Sequence, residues 1–174
     1  MNLPVTSKPS ITVSLLTCTR MPSPLGELLI TASDAGIHHI LFTDMPEAGR
    51  LLEAGLASQP HPFLEEAGRQ LDAYFDGKRR EFDLPLAARG TDFQHRVWAQ
   101  LRRIPYASTW GYSELAQAVQ QPTAARAVGM ANGKNPLCIV VPCHRVIGKN
   151  RQLVGYAGGL ERKAWLLDHE RRFR

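Results

Sequence analysis

A cysteine, a histidine and an arginine stand together at positions 143–145, directly after an uninterrupted apolar run. The run, 137–141, has the length and composition of a buried strand, which Pro142 would end because proline has no N–H for a ladder. A thiol near an imidazole and a guanidinium can form a nucleophilic thiolate. Neighbours in an extended chain point apart, so the segment must turn for Cys143 and His144 to meet. A small buried hydrophobe is the other interpretation of Cys143.

The two remaining cysteines lack this setting. Cys138 lies inside the apolar run, and Cys18 has no basic residue closer than Arg20. Cys138 and Cys143 are not spaced as C-x-x-C, which argues against zinc-finger and thioredoxin-type sites. Three cysteines form no complete disulfide framework, and the N-terminus lacks a signal-peptide pattern. We therefore expect reduced thiols in a cytoplasmic protein, associated with the nucleoid if the source is bacterial.

A carboxylate follows at the far end of the last predicted helix, which covers Glu161 to Glu170. The helix dipole disfavours a negative charge at that end. Glu170 is therefore either an ordinary surface residue or a group placed to orient His144. Ahead of the helix, 155–159 is a glycine-rich segment with one aromatic residue, Tyr156. It is either a turn or a phosphate cradle, and the Lys-Ser/Thr pair of a P-loop is absent.

Three helices are predicted ahead of the cysteine. A capping-box pair, Thr91 and Gln94, starts the first. The second starts near Ser113, and Thr123 is the expected N-cap of the third, which covers 124–132. The second and third helices, joined by a tight turn, match a helix-turn-helix, although many helical hairpins bind nothing. The third helix carries small residues and one charge, Arg126. Its small face suits close approach to a duplex groove or to a neighbouring helix.

The first half of the chain predicts a small α+β unit without catalytic features. Segments 25–31 and 37–43 predict a hairpin, 64–75 predicts a helix, and alternation over 82–86 predicts a strand. His38 and His39 lie inside an apolar strand, and we interpret both as structural. The segment 1–12 has the composition of a loose tail.

Composition and charge narrow the class of protein. The chain has 174 residues, of which 44% are hydrophobic and 21% are charged, as in an ordinary folded protein. No run approaches the ~18 apolar residues of a membrane span, so we expect no membrane partner. Residues 1–88 carry a net charge of −4, and residues 89–174 carry +9. The basic half favours nucleic acid as a partner, or is a basic surface with none.

The string 139–148, IVVPCHRVIG, resembles the active-site signature of the O6-alkylguanine-DNA alkyltransferases. Further motifs occur in the family's order, so the resemblance runs from about Gly90 to Glu170. It is looser in the first half, chiefly at 23–26. The supporting motifs are TDFQ at 91–94, IPY at 104–106, AARAVG at 124–129, NP at 135–136, GYAGG at 155–159 and KAWLLDHE at 163–170.

The resemblance implies an α+β protein with two domains. A ribonuclease-H-like α/β domain, without known chemistry in the family, is expected over 13–86. A linker is expected over 87–91. A mostly helical, winged-helix-like domain is expected over 92–174, with its helix-turn-helix entering the minor groove.

The resemblance also implies residue roles. Cys143 is the alkyl acceptor, His144 its base through a water, Glu170 the group that orients His144, and Asn135 the support of the active-site turn. Arg126 takes the place of the extruded base in the stack. The remaining expected contacts are to the flipped base, by Tyr112, Val146, Tyr156 and Ala157, and to the groove, by Ala124, Ala125, Ala127 and Gly129.

The implied activity is direct-reversal DNA repair in a single turnover. The alkyl group of O6-alkylguanine, and of O4-alkylthymine, would pass irreversibly to Cys143 after base flipping. Double-stranded DNA with alkylated bases is the expected partner of a monomer, with cooperative binding left open. No cofactor is expected. Ala157 stands where some members have Ser, a change of little expected consequence because the contact is a backbone one. Some members hold zinc, but Ser33 replaces a required Cys and only His38 matches, so we expect none.

Two other classes remain open on the sequence. Alkyltransferase-like proteins bind lesions without repairing them, but they lack the acceptor cysteine that Cys143 would supply. A cysteine hydrolase with a Cys-His pair would turn over, but it would explain neither the Arg126 helix nor the basic half. A burst of one equivalent distinguishes the transferase from the hydrolase.

Overall fold

The computed structural model describes residues 15–174, so the expected tail at 1–12 lies outside the described residues. The first half is built on a three-stranded antiparallel sheet in the order β1-β2-β3. Two helices, α1 and α2, complete this half. The elements are β1 Thr17–Met21, β2 Leu28–Ser33, β3 Gly36–Phe42, α1 Pro46–Glu53 and α2 Pro62–Phe75.

The predicted hairpin is present, with Ser33 opposite Gly36. Gly36 has a φ of +141°, and a Cβ there would lie 2.5 Å from the carbonyl oxygen of Pro85. Only glycine therefore fits where the hairpin meets the following chain. The predicted helix is also present, as α2. It buries Leu64 and Leu71 against the sheet and stops before Gly77, which has a φ of +73°.

One element of this half was predicted wrongly. The segment 82–86 is not a strand, because only Leu86 bridges to Ile37. Pro85 O accepts from the N–H of Ile37, and the N–H of Ala87 donates to Ile37 O, both at 2.8 Å, so a single parallel bridge takes the place of the expected strand. Pro85 itself has no N–H with which to extend the pairing. The short elements β1 and α1 were not predicted at all.

The second half is mostly helical, as expected. The capping box of α3 is formed: the side chain of Gln94 accepts from the backbone N–H of Thr91 at 2.9 Å, and Thr91 Oγ1 accepts from Gln94 N–H at 3.1 Å. Two short strands, β4 and β5, pair in parallel between the helices. The elements are α3 Asp92–Leu101, β4 Trp110–Gly111, α4 Tyr112–Ala118, α5 Ala125–Gly133, β5 Val146–Ile147 and α6 Leu160–Arg172.

The helix-turn-helix consists of α4 and α5, which pack on each other and on α3. The turn between them includes Gln120 with a φ of +61°. The sequence predicts Thr123 as the N-cap of α5, and this prediction is wrong. Ala124 holds that position without a side-chain cap, because an additional turn of chain precedes the helix.

The two halves pack tightly against each other. The backbone of Ile40 in β3 exchanges hydrogen bonds of 2.9 Å with Pro136 O and Cys138 N. On α6, Arg162 pairs with both carboxylate oxygens of Asp44 at 2.8 and 2.9 Å and donates to Leu25 O. The segment that carries Cys143 and the last helix are therefore both anchored on the first half. Across the described residues, no helix is both long enough and apolar enough to cross a membrane.

Candidate active site

The segment 137–141 is buried as predicted, but it is a turn rather than a strand. Asn135 holds the turn closed: its Nδ2 donates to Val141 O at 2.7 Å, and its Oδ1 accepts from Leu137 N–H at 2.9 Å. Ile139 adopts a φ of +73° within it. Because one amide side chain supplies partners at both ends of the segment, the backbone loops back instead of extending. The turn delivers the chain to Cys143.

Cys143 begins a short 3-10 turn that runs to Arg145, so the chain bends where the sequence required it to bend. The thiol is 4% exposed. Burial raises the pKa of the Cys143 thiol, and the Asn135 amide and the Lys163 ammonium oppose that rise. The site therefore favours the protonated thiol at rest, and the Asn135 amide and the Lys163 ammonium lessen the cost of forming the thiolate.

His144 and Glu170 form a fully buried pair, with Nε2 of the imidazole 2.8 Å from Oε1 of the carboxylate. Arg145 binds the same carboxylate through Nε and Nη2, at 2.9 and 2.8 Å. Burial alone would raise the pKa of Glu170, but the hydrogen bonds from His144 and Arg145 outweigh it and hold that pKa well below its usual range. Glu170 is a buried, satisfied carboxylate rather than a surface residue.

The imidazole of His144 is arranged as a base. Its pKa is lowered, chiefly by burial; the Glu170 carboxylate opposes this fall, and the positive charges of Arg145 and Lys163 add to it. Nε2 faces a carboxylate, so the neutral ring carries its hydrogen there and leaves the lone pair on Nδ1. Nδ1 is buried and has no hydrogen-bond partner among residues 15–174. The ring can therefore take up a proton at Nδ1 while Glu170 stabilises the resulting cation.

Lys163 is a site residue that the sequence reasoning missed. Its side chain is fully buried, and Nζ donates to Val146 O and, at 2.7 Å, to Val154 O. Burial lowers the pKa of the amine to about 8, while the charge of a Cys143 thiolate would raise it. Its place in the motif at 163–170 was the only sequence signal. It links β5 to the glycine-rich segment and places a cation near the thiol.

The expected substrate contacts lie around this centre. Val146 is buried on β5, and Tyr112 donates to Val154 O at 3.3 Å. Burial raises the pKa of Tyr112, and a negative charge on Cys143 raises it further, so the phenol remains a neutral donor near the thiol. Tyr156 is 8% exposed with a buried hydroxyl, and burial raises its pKa, as would charge on Cys138 and Cys143. Ala157 is exposed beside it.

The expected groove contacts lie on α5. Arg126 and Ala127 are exposed, Ala124 and Ala125 are half-buried, and Arg126 makes no hydrogen bond or ion pair within the described part of the chain. Gly129 lies beneath Tyr112, where a Cβ would come within 3.5 Å of the ring. The opposite face of α5 packs inward. Helix packing and an open small-residue face therefore coexist on this one helix.

His38 and His39 have structural partners. His38 Nε2 lies 2.7 Å from Ser33 Oγ, and His39 Nδ1 lies 2.7 Å from Thr31 Oγ1. Ser33 and His38 thus bond to each other. Over residues 15–174, no group of three or more His, Cys, Asp or Glu side chains is placed to hold a metal ion.

The arrangement matches one class of DNA-modifying protein along both halves. The ribonuclease-like domain of 6-O-methylguanine DNA methyltransferase matches residues 16–88. The DNA binding domain of the same protein class matches residues 92–172. The chain belongs to the 6-O-methylguanine DNA methyltransferase family, and the expected combination of a ribonuclease-like domain with a mostly helical DNA-binding domain is confirmed.

Individual relatives agree over nearly their whole length. The chain is 43% identical over 148 residues to the methylated-DNA–protein-cysteine methyltransferase of Methanosarcina acetivorans, covering 85% of this chain and 94% of the relative. The crystal structure of Mycobacterium tuberculosis O6-methylguanine methyltransferase superposes with a TM-score of 0.83 at 40% identity, covering 91% and 94% of the two chains. A crystal structure of the Mycobacterium tuberculosis protein in complex with DNA superposes with a TM-score of 0.81 at 42% identity, covering 88% and 92%.

Proposed function

We propose that this chain repairs alkylated DNA directly, with Cys143 as the acceptor of the alkyl group from O6 of guanine. One observation carries the assignment: the buried Cys143 thiol follows the Asn135-closed turn, and the next residue, His144, has Nε2 held by Glu170 and a buried Nδ1 without a partner among the described residues. Family membership supplies the reaction class. DNA is the partner, as it is for the related Mycobacterium tuberculosis protein in its complex.

The lesion must first leave the stack, because O6 of guanine is buried in the duplex. The small side chains of exposed Ala127 and half-buried Ala124 and Ala125 would allow the backbone at the start of α5 to approach the minor groove closely. Arg126, the one long polar side chain on that face, fills the gap that the flipped base leaves. Extrusion costs a few kcal/mol, and a side chain that occupies the gap lowers that cost.

The transfer step balances without a cofactor. The Cys143 S–H gives its proton to His144 Nδ1 through a bridging water, and the sulfur attacks the alkyl carbon in line with the C–O6 bond. A C–S bond forms, and the C–O6 bond breaks with its electron pair passing to guanine. Tyr112 donates a proton to the departing guanine, and its phenolate then takes up, through solvent, the proton that His144 received. Both residues return to their neutral forms, and in sum the thiol loses one proton and guanine gains one.

The product is a thioether, and its C–S bonds are not readily broken by displacement. Each molecule is therefore expected to act once, as a monomeric reagent. The same geometry is proposed to accept the alkyl group of O4-alkylthymine, which presents an equivalent C–O bond.

The test is the intact mass of the protein after incubation with a duplex that contains O6-methylguanine. We expect one methyl increment per protein and no further repair after one equivalent of lesion. Continued turnover would indicate a hydrolase. Tight binding without a mass change would indicate a lesion-binding module. Either result would overturn the proposed transfer.

A further inference from the structure

The carboxylate of Glu170 receives hydrogen bonds from two parts of the chain. Within 92–172, its partners are His144, Arg145 and the backbone N–H of Ala107. The fourth partner, Tyr74, belongs to the ribonuclease-like region at 16–88. Its hydroxyl donates to Glu170 Oε1 at 2.8 Å. We propose that Tyr74 is a positioning residue for alkyl transfer, through which the first half of the chain tunes the Glu170–His144 pair.

Contacts fix both the side chain and the backbone of Tyr74. It lies in the last turn of α2 with its side chain fully buried. Its backbone carbonyl accepts from His169 Nε2 at 2.8 Å, and the two rings lie 5.3 Å apart. His169 directly precedes Glu170 on α6. The hydroxyl of Tyr74 and the carboxylate of Glu170 therefore belong to helices that are locked together at the point of contact.

Glu170 Oε1 is a shared acceptor. The Tyr74 hydroxyl, His144 Nε2 and Arg145 Nη2 each lie 2.8 Å from it. Donors from three residues share this one oxygen, with Arg145 Nε adding a longer contact at 3.3 Å, and they compete for its lone pairs. Each donor therefore weakens the hold of the carboxylate on the others. The Tyr74 hydroxyl thus limits how strongly Glu170 stabilises a protonated His144. Removing it should make His144 easier to protonate and less available as a base.

The hydroxyl is a lasting donor. Burial raises the pKa of Tyr74, and the negative charge of Glu170 raises it further, so the phenol stays protonated. The other titratable and charged groups around His144 and Glu170 are Cys143 and Arg145 on the 3-10 turn, Lys163 on α6, and Tyr106 in the segment after α3.

The inference rests on the proposed transfer to Cys143, and its test uses the full-length protein. Single-turnover methyl-transfer rates on an O6-methylguanine duplex are measured from pH 5 to 8, as an approximate range that spans histidine titration. The acid limb is the part of the pH–rate profile in which the rate falls on acidification. For Tyr74→Phe we expect this acid limb to move to higher pH. The loss at pH 6 should be about tenfold, the order expected for one hydrogen bond to a charged group, and should shrink toward pH 8.

Tyr106→Phe is the matched control. Its ring lies 6.3 Å from that of Tyr74, and its hydroxyl is buried without a hydrogen-bond partner among the described residues. Tyr106→Phe removes the same single oxygen atom, and its pH–rate profile should therefore match that of the wild-type protein. A purely structural role of Tyr74 would lower thermal stability without moving the acid limb, and that result would overturn the proposal.

A second variant covers the case in which Tyr74→Phe does not fold. A fluorinated tyrosine at position 74 keeps the ring and the hydroxyl but makes the hydroxyl a stronger donor. The acid limb should then move to lower pH, opposite in sign to the effect of Tyr74→Phe. An unmoved limb in both variants would refute the role of Tyr74 alone. Absence of methyl transfer in the wild-type protein would instead refute the proposed function.

Discussion

At the scale of single residues, three thiols share one chain but have different surroundings. Cys138 is 1% exposed, and burial strongly raises its pKa. Cys143 is nearly as buried, but Asn135 and Lys163 oppose the rise of its pKa. Cys18 lies on β1, with its Sγ 4.0 Å from the carbonyl oxygen of Leu56. Cys143 differs from the other two cysteines because the next residue is a histidine whose buried Nδ1 has no hydrogen-bond partner among residues 15–174.

We accordingly expect methyl transfer to Cys143 alone. Peptide mapping after reaction should find a gain of about 14 Da, one CH₂ unit, on the peptide that contains it, because the covalent scheme transfers one methyl for one proton. Cys143→Ser should abolish the gain. Cys138→Ser and Cys18→Ser are the matched controls and should react like the wild-type protein. A methyl group on either of those two sulfurs would contradict the assignment.

The state of His144 sets the pH dependence of transfer. As a base it must be neutral, and burial lowers its pKa below the usual 6.5. The rate should therefore hold as pH falls through 7 and decline only below the usual pKa of histidine. Glu170→Gln removes the carboxylate that stabilises the imidazolium, and should slow transfer by about 10²-fold, within the range for acid–base catalysis. Single-turnover rates across pH test both. A decline beginning above pH 7 would contradict the lowered pKa.

At the scale of elements, the turn at 137–141 depends on one side chain. Asn135→Ala would remove the acceptor of the buried Leu137 N–H and one of two donors to the carbonyl of Val141, which keeps the N–H of Cys143 at 2.8 Å. The unsatisfied N–H costs about 1–3 kcal/mol and the lost hydrogen bond about 1 kcal/mol, so we expect the free energy of unfolding to fall by roughly 2–4 kcal/mol. Urea denaturation measures the change. An unaltered midpoint would mean that the turn closes without Asn135.

The helix α5 presents Arg126 from its exposed face. Arg126→Ala should slow repair in duplex DNA far more than reaction with free O6-benzylguanine, because a free base leaves no gap to fill. The expected loss on duplex is tenfold or more, since each ~1.4 kcal/mol of restored flipping cost is a factor of ten. Arg102→Ala, an exposed arginine at the end of α3, is the control for loss of one charge. Equal slowing on both substrates would exclude the gap-filling role.

Some of these elements could be predicted from the sequence and others could not. Periodicity and capping residues predicted α2, α3, α4 and α6 to within a few residues, because local contacts largely determine those helices. The run 137–141 was correctly predicted to be buried and wrongly predicted to be a strand. Apolar composition reports burial, whereas the turn depends on Asn135 and on the backbone of β3.

Site residues divide in the same way. The sequence indicates Cys143 and His144 because they are adjacent, and the family motif indicates Glu170. Tyr74 and Lys163 could not be found by spacing. Tyr74 is 96 residues from its partner Glu170. Lys163 is an ordinary helix residue in the sequence, and only the tertiary fold makes it a buried amine that bridges two carbonyl oxygens.

At the scale of the whole molecule, charge is divided between the two halves. Residues 1–88 carry −4 and residues 89–174 carry +9, so an approaching polyanion meets attraction on one side and repulsion on the other. The exposed face of α5 belongs to the basic half. We therefore expect the long-range field to orient the molecule with its basic half toward the duplex before any specific contact forms.

This division predicts DNA affinity that depends strongly on salt and weakly on sequence. Binding that neutralises Z phosphates gives a slope near −0.9Z in log K against log salt, and a small footprint of roughly 3–5 contacts gives about −3 to −4.5. Fluorescence anisotropy with lesion-free duplexes of different sequence measures both quantities. Arg69→Gln, in the acidic half and paired with Glu66, is the control and should keep the slope. An affinity independent of salt would contradict binding through phosphate neutralisation. A slope reduced by Arg69→Gln would indicate that DNA binds to the acidic half.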